Sequence, residues 1–296
     1  MNKTIIYFIL TTLMSLLGTK TFAYDIAVEN SAGVKIYYNY LDIDNELAVV
    51  KGDSKYTSTI VIPDIVTHDN NTFKVTRIGS EAFYECDGLT SVIIPNTVRD
   101  IEDYAFSYSA DLTSVSLGNN VTTIGNDAFS GCYSLSSINI PDSMKTIGGF
   151  AFANCKSLAS INIPNSVTAI GYSAFSGCES LTSIIIPNSV NNIGGGIFTN
   201  CISLISVTIP DNMTNIVNSM FSGCSALISI SIPNSVKRIE DYAFAGFFGE
   251  CTLSRIESFH FPSVDCRIKA LLSVFFSLIG ICGSDIDGLP SHQTTK

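Results

Sequence analysis

The sequence contains no tryptophan and only three histidines, His68, His260 and His292, none of them between residues 69 and 259. The long middle of the chain therefore has no imidazole to activate a serine, which counts against a serine hydrolase built there. Charge is also scarce. Asp, Glu, Lys and Arg make up 14% of the 296 residues, against roughly a quarter in an ordinary globular protein. Basic residues are the fewer, 16 against 26 acidic, for a net charge of −10. Phosphate contacts need clustered Lys and Arg, so a nucleic-acid partner is not expected. No two cysteines stand at the short C-x2-C spacing of metal sites, and no metal is expected. What the chain has in quantity is apolar: 46% of it is hydrophobic. That is enough for a large core and too much for a disordered chain.

Residues 1–23 read as a signal peptide. Lys3 gives the positive start, Ile5 to Leu17 the apolar run, and Thr21 and Ala23 the small residues before a cut at Tyr24. The run is short for a membrane-spanning helix, and no cysteine stands near the cut to carry a lipid. The mature chain is expected to be exported to the cell surface or medium, with the periplasm as the alternative. No stable membrane span is expected in it.

A 23-residue period organises the middle of the chain. Leucine recurs at 89, 112, 135, 158, 181, 204 and 227. Phenylalanine recurs at the same interval as Phe83, Phe106, Phe129, Phe152, Phe175, Phe198, Phe221 and Phe244. In the unit beginning Leu158, the alternation of Leu158, Ile161 and Ile163 predicts a strand with one face turned inward. Pro164 closes it, having no N–H for a ladder, and Asn165 suits the turn that follows. Val167, Ile170, Ala174 and Phe175 then come near helical spacing, which predicts a short helix or 3₁₀ turn. Gly125, Gly148, Gly171 and Gly194 are expected to take backbone geometries closed to other residues. One such unit cannot bury its apolar face. A stack of them can, with the eight phenylalanines as a structural spine and the strands in a parallel ladder.

The pattern L-x-x-I-x-I-P-x-x-V-x-x-I-G-x-x-A-F-x-x-C, met almost throughout by residues 158–178, resembles the BspA-like leucine-rich repeats of bacterial surface proteins. The resemblance covers residues 78–246 and implies a leucine-rich-repeat solenoid there. It also implies an exported protein of a kind in which several members are adhesins or ligand-binding proteins, and it carries no catalytic motif. Gly118 in place of proline, Ser109 in place of cysteine, and Ile197 and Met220 in place of alanine are departures the fold can accommodate.

Residues 24–77 lack the repeat and are read as a small β-rich cap, with strands at Val34–Tyr38, Glu46–Val50 and Thr59–Ile62. Residues 247–296 are read as irregular. Their apolar run from Ala270 to Cys282 suits a capping helix, a poorly ordered end or a membrane segment.

Of the nine cysteines, Cys132, Cys155, Cys178, Cys201 and Cys224 keep the 23-residue interval, and Cys86 is in phase with them. They are read as free, buried, small apolar residues. Cys251 and Cys266 are the better candidates for a disulfide. The acidic groups Asp100, Glu102, Asp103, Glu240 and Asp241 fall in the first and last regular repeats, which hold 9 of the 15 charged residues between 89 and 244. Solvated end repeats explain them better than catalysis. No catalytic residue and no cofactor is assigned. The remaining candidate is the outward strand face, whose centre is Ser137, Asn139, Ser160, Asn162, Ser183 and Ile185. Its hydroxyls and amides suit a protein ligand. A glycan ranks second, because this face lacks aromatic platforms for a sugar ring. The expected function is therefore an adhesin-like, protein-binding repeat protein. A glycan-binding accessory protein of the cell envelope is the alternative, and an exported hydrolase is disfavoured.

Overall fold

The computed structural model describes residues 24–41, 45–246 and 250–253. The expected signal peptide, the run from Ala270 to Cys282 and the Cys251–Cys266 pairing lie outside the residues whose side chains are described.

Six strands open the fold: β1 (Ile26–Glu29), β2 (Lys35–Tyr40), β3 (Glu46–Val50), β4 (Ser58–Val61), β5 (Ile65–His68) and β6 (Asn71–Ile78). The first three form an antiparallel meander. Strand β3 then runs parallel to β6, which forms a hairpin with β5 across Asp69 and Asn70. Both turn residues have positive φ, 47° and 60°, as the tightest hairpins require. Strand β4 lies parallel to Leu89–Ile93 with Ile60 opposite Val92. The repeat ladder thus begins inside the segment that lacks the repeat motif.

From there the chain is a leucine-rich-repeat solenoid with parallel strand ladders. Most turns of it contribute two short strands. The leucine strands are Leu89–Ile93, Ser114–Ser116, Ser137–Ile138, Ser183–Ile185, Ser206–Thr208 and Ser229–Ile232. Between the third and fourth, the Leu158 unit contributes only the bridge Asn139–Asn162. The second set centres on the repeated isoleucine, as in Thr123–Ile124, Thr146–Ile147 and Ala169–Ile170. A 10-stranded sheet runs from β1 through β6 into this second set as far as Asn192–Ile193. Glu250–Leu253 adds a further parallel strand beyond the last regular repeat, with Cys251 opposite Ile230.

Among the described residues there is no helix. The second half of each repeat is a pair of turns, and its hydrogen bonds give the reason. Around Phe129, Ser130 N donates to Asp127 O and Cys132 N to Phe129 O, both at 3.1 Å within the unit. The alternate donors Asp127, Phe129 and Gly131 reach the next unit instead, to Gly149 O, Ala151 O and Ala153 O, each at 2.8 Å. A helix would need all of these N–H groups for its own carbonyls. The alternation also puts Asp127 (φ 53°) and Gly131 (φ 73°) in the left-handed region on either side of Phe129, a pair that recurs in every unit. Gly125, Gly148, Gly171 and Gly194 are not at positive φ. Their role is close approach, because a Cβ at Gly171 would overlap the backbone of Gly148 and Gly149 in the preceding unit.

The core is one continuous column. The phenylalanine rings from Phe83 to Phe244 stack with centroids 4.8–6.0 Å apart and planes within 21° of parallel. Tyr56, in the connection between β3 and β4, extends the column into the N-terminal segment, 4.7 Å from Phe83.

Candidate binding face

Each leucine strand turns its leucine and its fourth and sixth residues inward and its third and fifth outward. Leu135, Ile138 and Ile140 are buried, while Ser137 and Asn139 between them are exposed. The same inside-out rule exposes Ser160, Asn162, Ser183 and Ile185. The six residues come together as two adjacent columns on three successive units. Pairing runs through Ser137 opposite Ser114, Asn139 opposite Asn162, and Ser183 opposite Ser206. Where strand pairing lapses, backbone bonds one residue along hold the units in step: Ala159 N to Ser136 O at 3.4 Å and Thr182 N to Ala159 O at 3.3 Å. At the N-terminal end of the serine column, Ser114 Oγ donates to Ser91 Oγ at 3.1 Å.

The two columns carry no charge. What they can do is exchange hydrogen bonds, since each hydroxyl and amide both donates and accepts. At the other end the face turns apolar. Ile185 is 66% exposed and Ile228 67%, with Ile205 exposed beside Ser206. Ile205 and Ile228 were not among the residues expected here, although the signal was present. They hold the position just after the repeated leucine, which reads Thr90, Thr113, Ser136, Ala159 and Thr182 in the earlier units. The exposed rings of Tyr104, Tyr108, Tyr133, Tyr172 and Tyr242 stand outside the leucine strands.

The other candidate groups are engaged in structure. Asp100 and Glu102 pair with Arg77 at 3.7 and 3.6 Å. Asp103 Oδ1 accepts from Asn126 N at 2.6 Å, and Glu240 Oε2 from Asn218 N at 3.1 Å. Cys86, Cys132, Cys155, Cys178, Cys201 and Cys224 are free and buried. Among the described residues no three His, Cys, Asp or Glu side chains gather as a metal site would require.

With this geometry in view, comparison with known proteins is decisive for the family. Residues 64–175 and 145–268 match the BspA type leucine rich repeat region, in six copies. The chain belongs to this family. A leucine-rich repeat protein from Bacteroides ovatus is 33% identical, with 81% of this chain and 54% of that one covered and a TM-score of 0.59. The T. pallidum leucine-rich repeat protein is 30% identical over 69% of this chain and 81% of its own, with a TM-score of 0.49. A leucine rich cell surface protein from Faecalibacterium prausnitzii is 24% identical, covering 75% and 86%, with a TM-score of 0.39. The BspA-type chain spans about half the length of the Bacteroides ovatus protein. No curated protein matches it. Leucine-rich-repeat domains of this kind are protein-interaction modules.

Proposed function

We propose that this BspA-type protein is exported and binds protein ligands at the cell surface, in the manner of an adhesin, through the leucine-strand face centred on Ser137, Asn139, Ser160, Asn162, Ser183 and Ile185. The observation that carries the proposal is the in-register, uncharged double column of exposed hydroxyls and amides that ends in an exposed isoleucine. Its groups repeat at the rise between strands, about 4.8 Å, on a backbone whose ladder already fixes them, so little ordering entropy remains to be lost on binding. Ile185 supplies the apolar anchor that a polar face alone lacks. Export rests on the signal-peptide pattern of residues 1–23. In this reading residues 24–77 cap the open end of the solenoid spanning 78–246. The face has no aromatic platform, which keeps a protein ahead of a glycan on it.

The test is the double variant Asn139→Arg, Asn162→Arg, assayed for adhesion to host-cell and matrix proteins. Binding is expected to fall at least tenfold while the thermal melt stays in place. Undiminished adhesion by a folded variant would remove this face from the function.

A further inference from the structure

The leucine-strand ladder parts near its C-terminal end. Ser206–Thr208 pairs with Ser183–Ile185, and Ser229–Ile232 pairs with Glu250–Leu253, but the two pairs belong to separate sheets. A cleft of about 480 Å³, open to solvent on one side, lies across this break. Its polar lining comes from both sides: Thr208 and Asp211 from one unit, Ser231, Asn234 and Ser235 from the next. None of these five side chains donates to or accepts from another protein group among the described residues, and Ser235 Oγ is buried without a partner. Pro233 supplies the apolar part of the wall, and the core residues Val207 and Ile209 lie beneath it.

We infer that this cleft, which adjoins the Ser137–Ile185 face where Thr208 stands opposite Ile185, is a second binding site, and that its ligand is an uncharged saccharide unit. The lining selects this chemistry by exclusion and by fit. No lysine or arginine lines the cleft, so a phosphate or carboxylate ligand would find no counter-charge. One carboxylate, Asp211, falls short of the several oxygen ligands a calcium ion collects. A pyranose, by contrast, offers hydroxyls that donate to the Asp211 carboxylate and accept from the Asn234 amide and the serine and threonine hydroxyls. Its C–H face can lie against Pro233. Ser235 Oγ, left without a partner in the free protein, gains one when the site fills, and a buried hydroxyl that finds a partner only with ligand favours the bound state.

The column that holds Ser235 provides its own control. Ser166 and Ser189 stand at the same place in earlier units, and their Oγ atoms are also buried and unpartnered, but neither lines the cleft. The experiment is saturation-transfer NMR on the purified chain with the methyl glycosides of glucose, galactose, mannose and N-acetylglucosamine and their β-linked disaccharides. At least one is expected to give a signal. Asp211→Ala and Ser235→Ala should each weaken it at least fivefold, Ser189→Ala should leave it intact, and all three should melt with the parent. No signal from any saccharide, a signal that survives both cleft variants, or equal loss with Ser189→Ala would overturn the assignment. A blank panel with protein adhesion still sensitive to Asn139→Arg would sink this site alone. Adhesion insensitive to Asn139→Arg with a saccharide signal present would sink the face alone.

Discussion

The repeated cysteine does more than fill space. Each thiol in the ladder turns to the carbonyl of a phenylalanine 26 residues earlier: Cys132 to Phe106, Cys155 to Phe129, Cys178 to Phe152, Cys201 to Phe175 and Cys224 to Phe198, at 3.1–3.2 Å. Burial pushes the Cys178 and Cys224 thiols up to about 12, so both remain protonated, and therefore donors, at neutral pH. Ser109 makes the case independently. It stands in the cysteine column and its hydroxyl donates to Phe83 O at 2.6 Å. The donor is thus the conserved chemistry of the column within this chain, and sulfur is one way to supply it. Cys178→Ser should stay close to the parent in stability, whereas Cys178→Ala, which removes the thiol bond and leaves the Phe152 carbonyl only the Cys155 N–H at 3.2 Å, should cost about 0.5–1.5 kcal/mol. Urea unfolding of the two variants side by side checks the order, and alanine tolerated as well as serine would show that the bond is incidental. A sequence shows that cysteine recurs and suggests its burial. It cannot show the acceptor, which belongs to the backbone of the preceding unit.

At the scale of the element, the two halves of the repeat were unequally legible. In Leu158, Ile161 and Ile163 the two-residue alternation pointed to a strand with an exposed face, and that face is where Ser160 and Asn162 lie. The spacing of Val167, Ile170, Ala174 and Phe175 mimicked a helix, because paired turns also bring every third or fourth side chain inward. What decided against the helix was non-local: the next unit competes for alternate N–H groups, as Phe152 N shows by donating to Ala174 O at 2.8 Å. Glycine 171 separates the two pictures by the sign of one substitution. In a helix, Gly→Ala would stabilise by roughly 0.5–1 kcal/mol. Here the added methyl meets the backbone of Gly148 and Gly149, so Gly171→Ala should instead destabilise by about 1–3 kcal/mol, as overpacking does. Thermal melting decides it, and a raised midpoint would restore the helical picture. The cleft between Thr208 and Ser231 was not legible at this scale, since both units keep the repeat while the pairing between them lapses.

For the whole molecule, the weak point of a stack is its end, because an end unit lacks the neighbour that stabilises every inner one. The N-terminal end is secured by strand pairing and by an ionic cluster. Glu46 on β3 accepts from Arg99 at 2.7 Å and from the Thr76 hydroxyl at 2.9 Å, and Arg77 on β6 bridges Asp100 and Glu102 in the first repeat. Burial works to raise the Glu46 carboxyl, but the Arg99 and Thr76 hydrogen bonds and the charges of Arg99 and Arg77 outweigh it and hold the group below the usual carboxylate range. A carboxyl held low in the folded state stabilises wherever it is ionised. That contribution is fully present above the unfolded-state value, near pH 4.3 in model peptides, and is lost as the pH falls through the lower folded-state value. Acid should therefore loosen this junction first. Because stability in a stacked chain is a sum of units and their interfaces, a loosened junction should appear as early exchange of β3 and β6 amides, with the inner Phe152 and Phe175 units still protected. Hydrogen exchange at neutral pH and near pH 3 reads this directly, and Glu46→Gln should remove most of the difference between the two conditions in β3 and β6. Uniform loss of protection along the whole stack on acidification, unchanged by Glu46→Gln, would mean that the cluster does not hold the end and that strand pairing alone closes the solenoid.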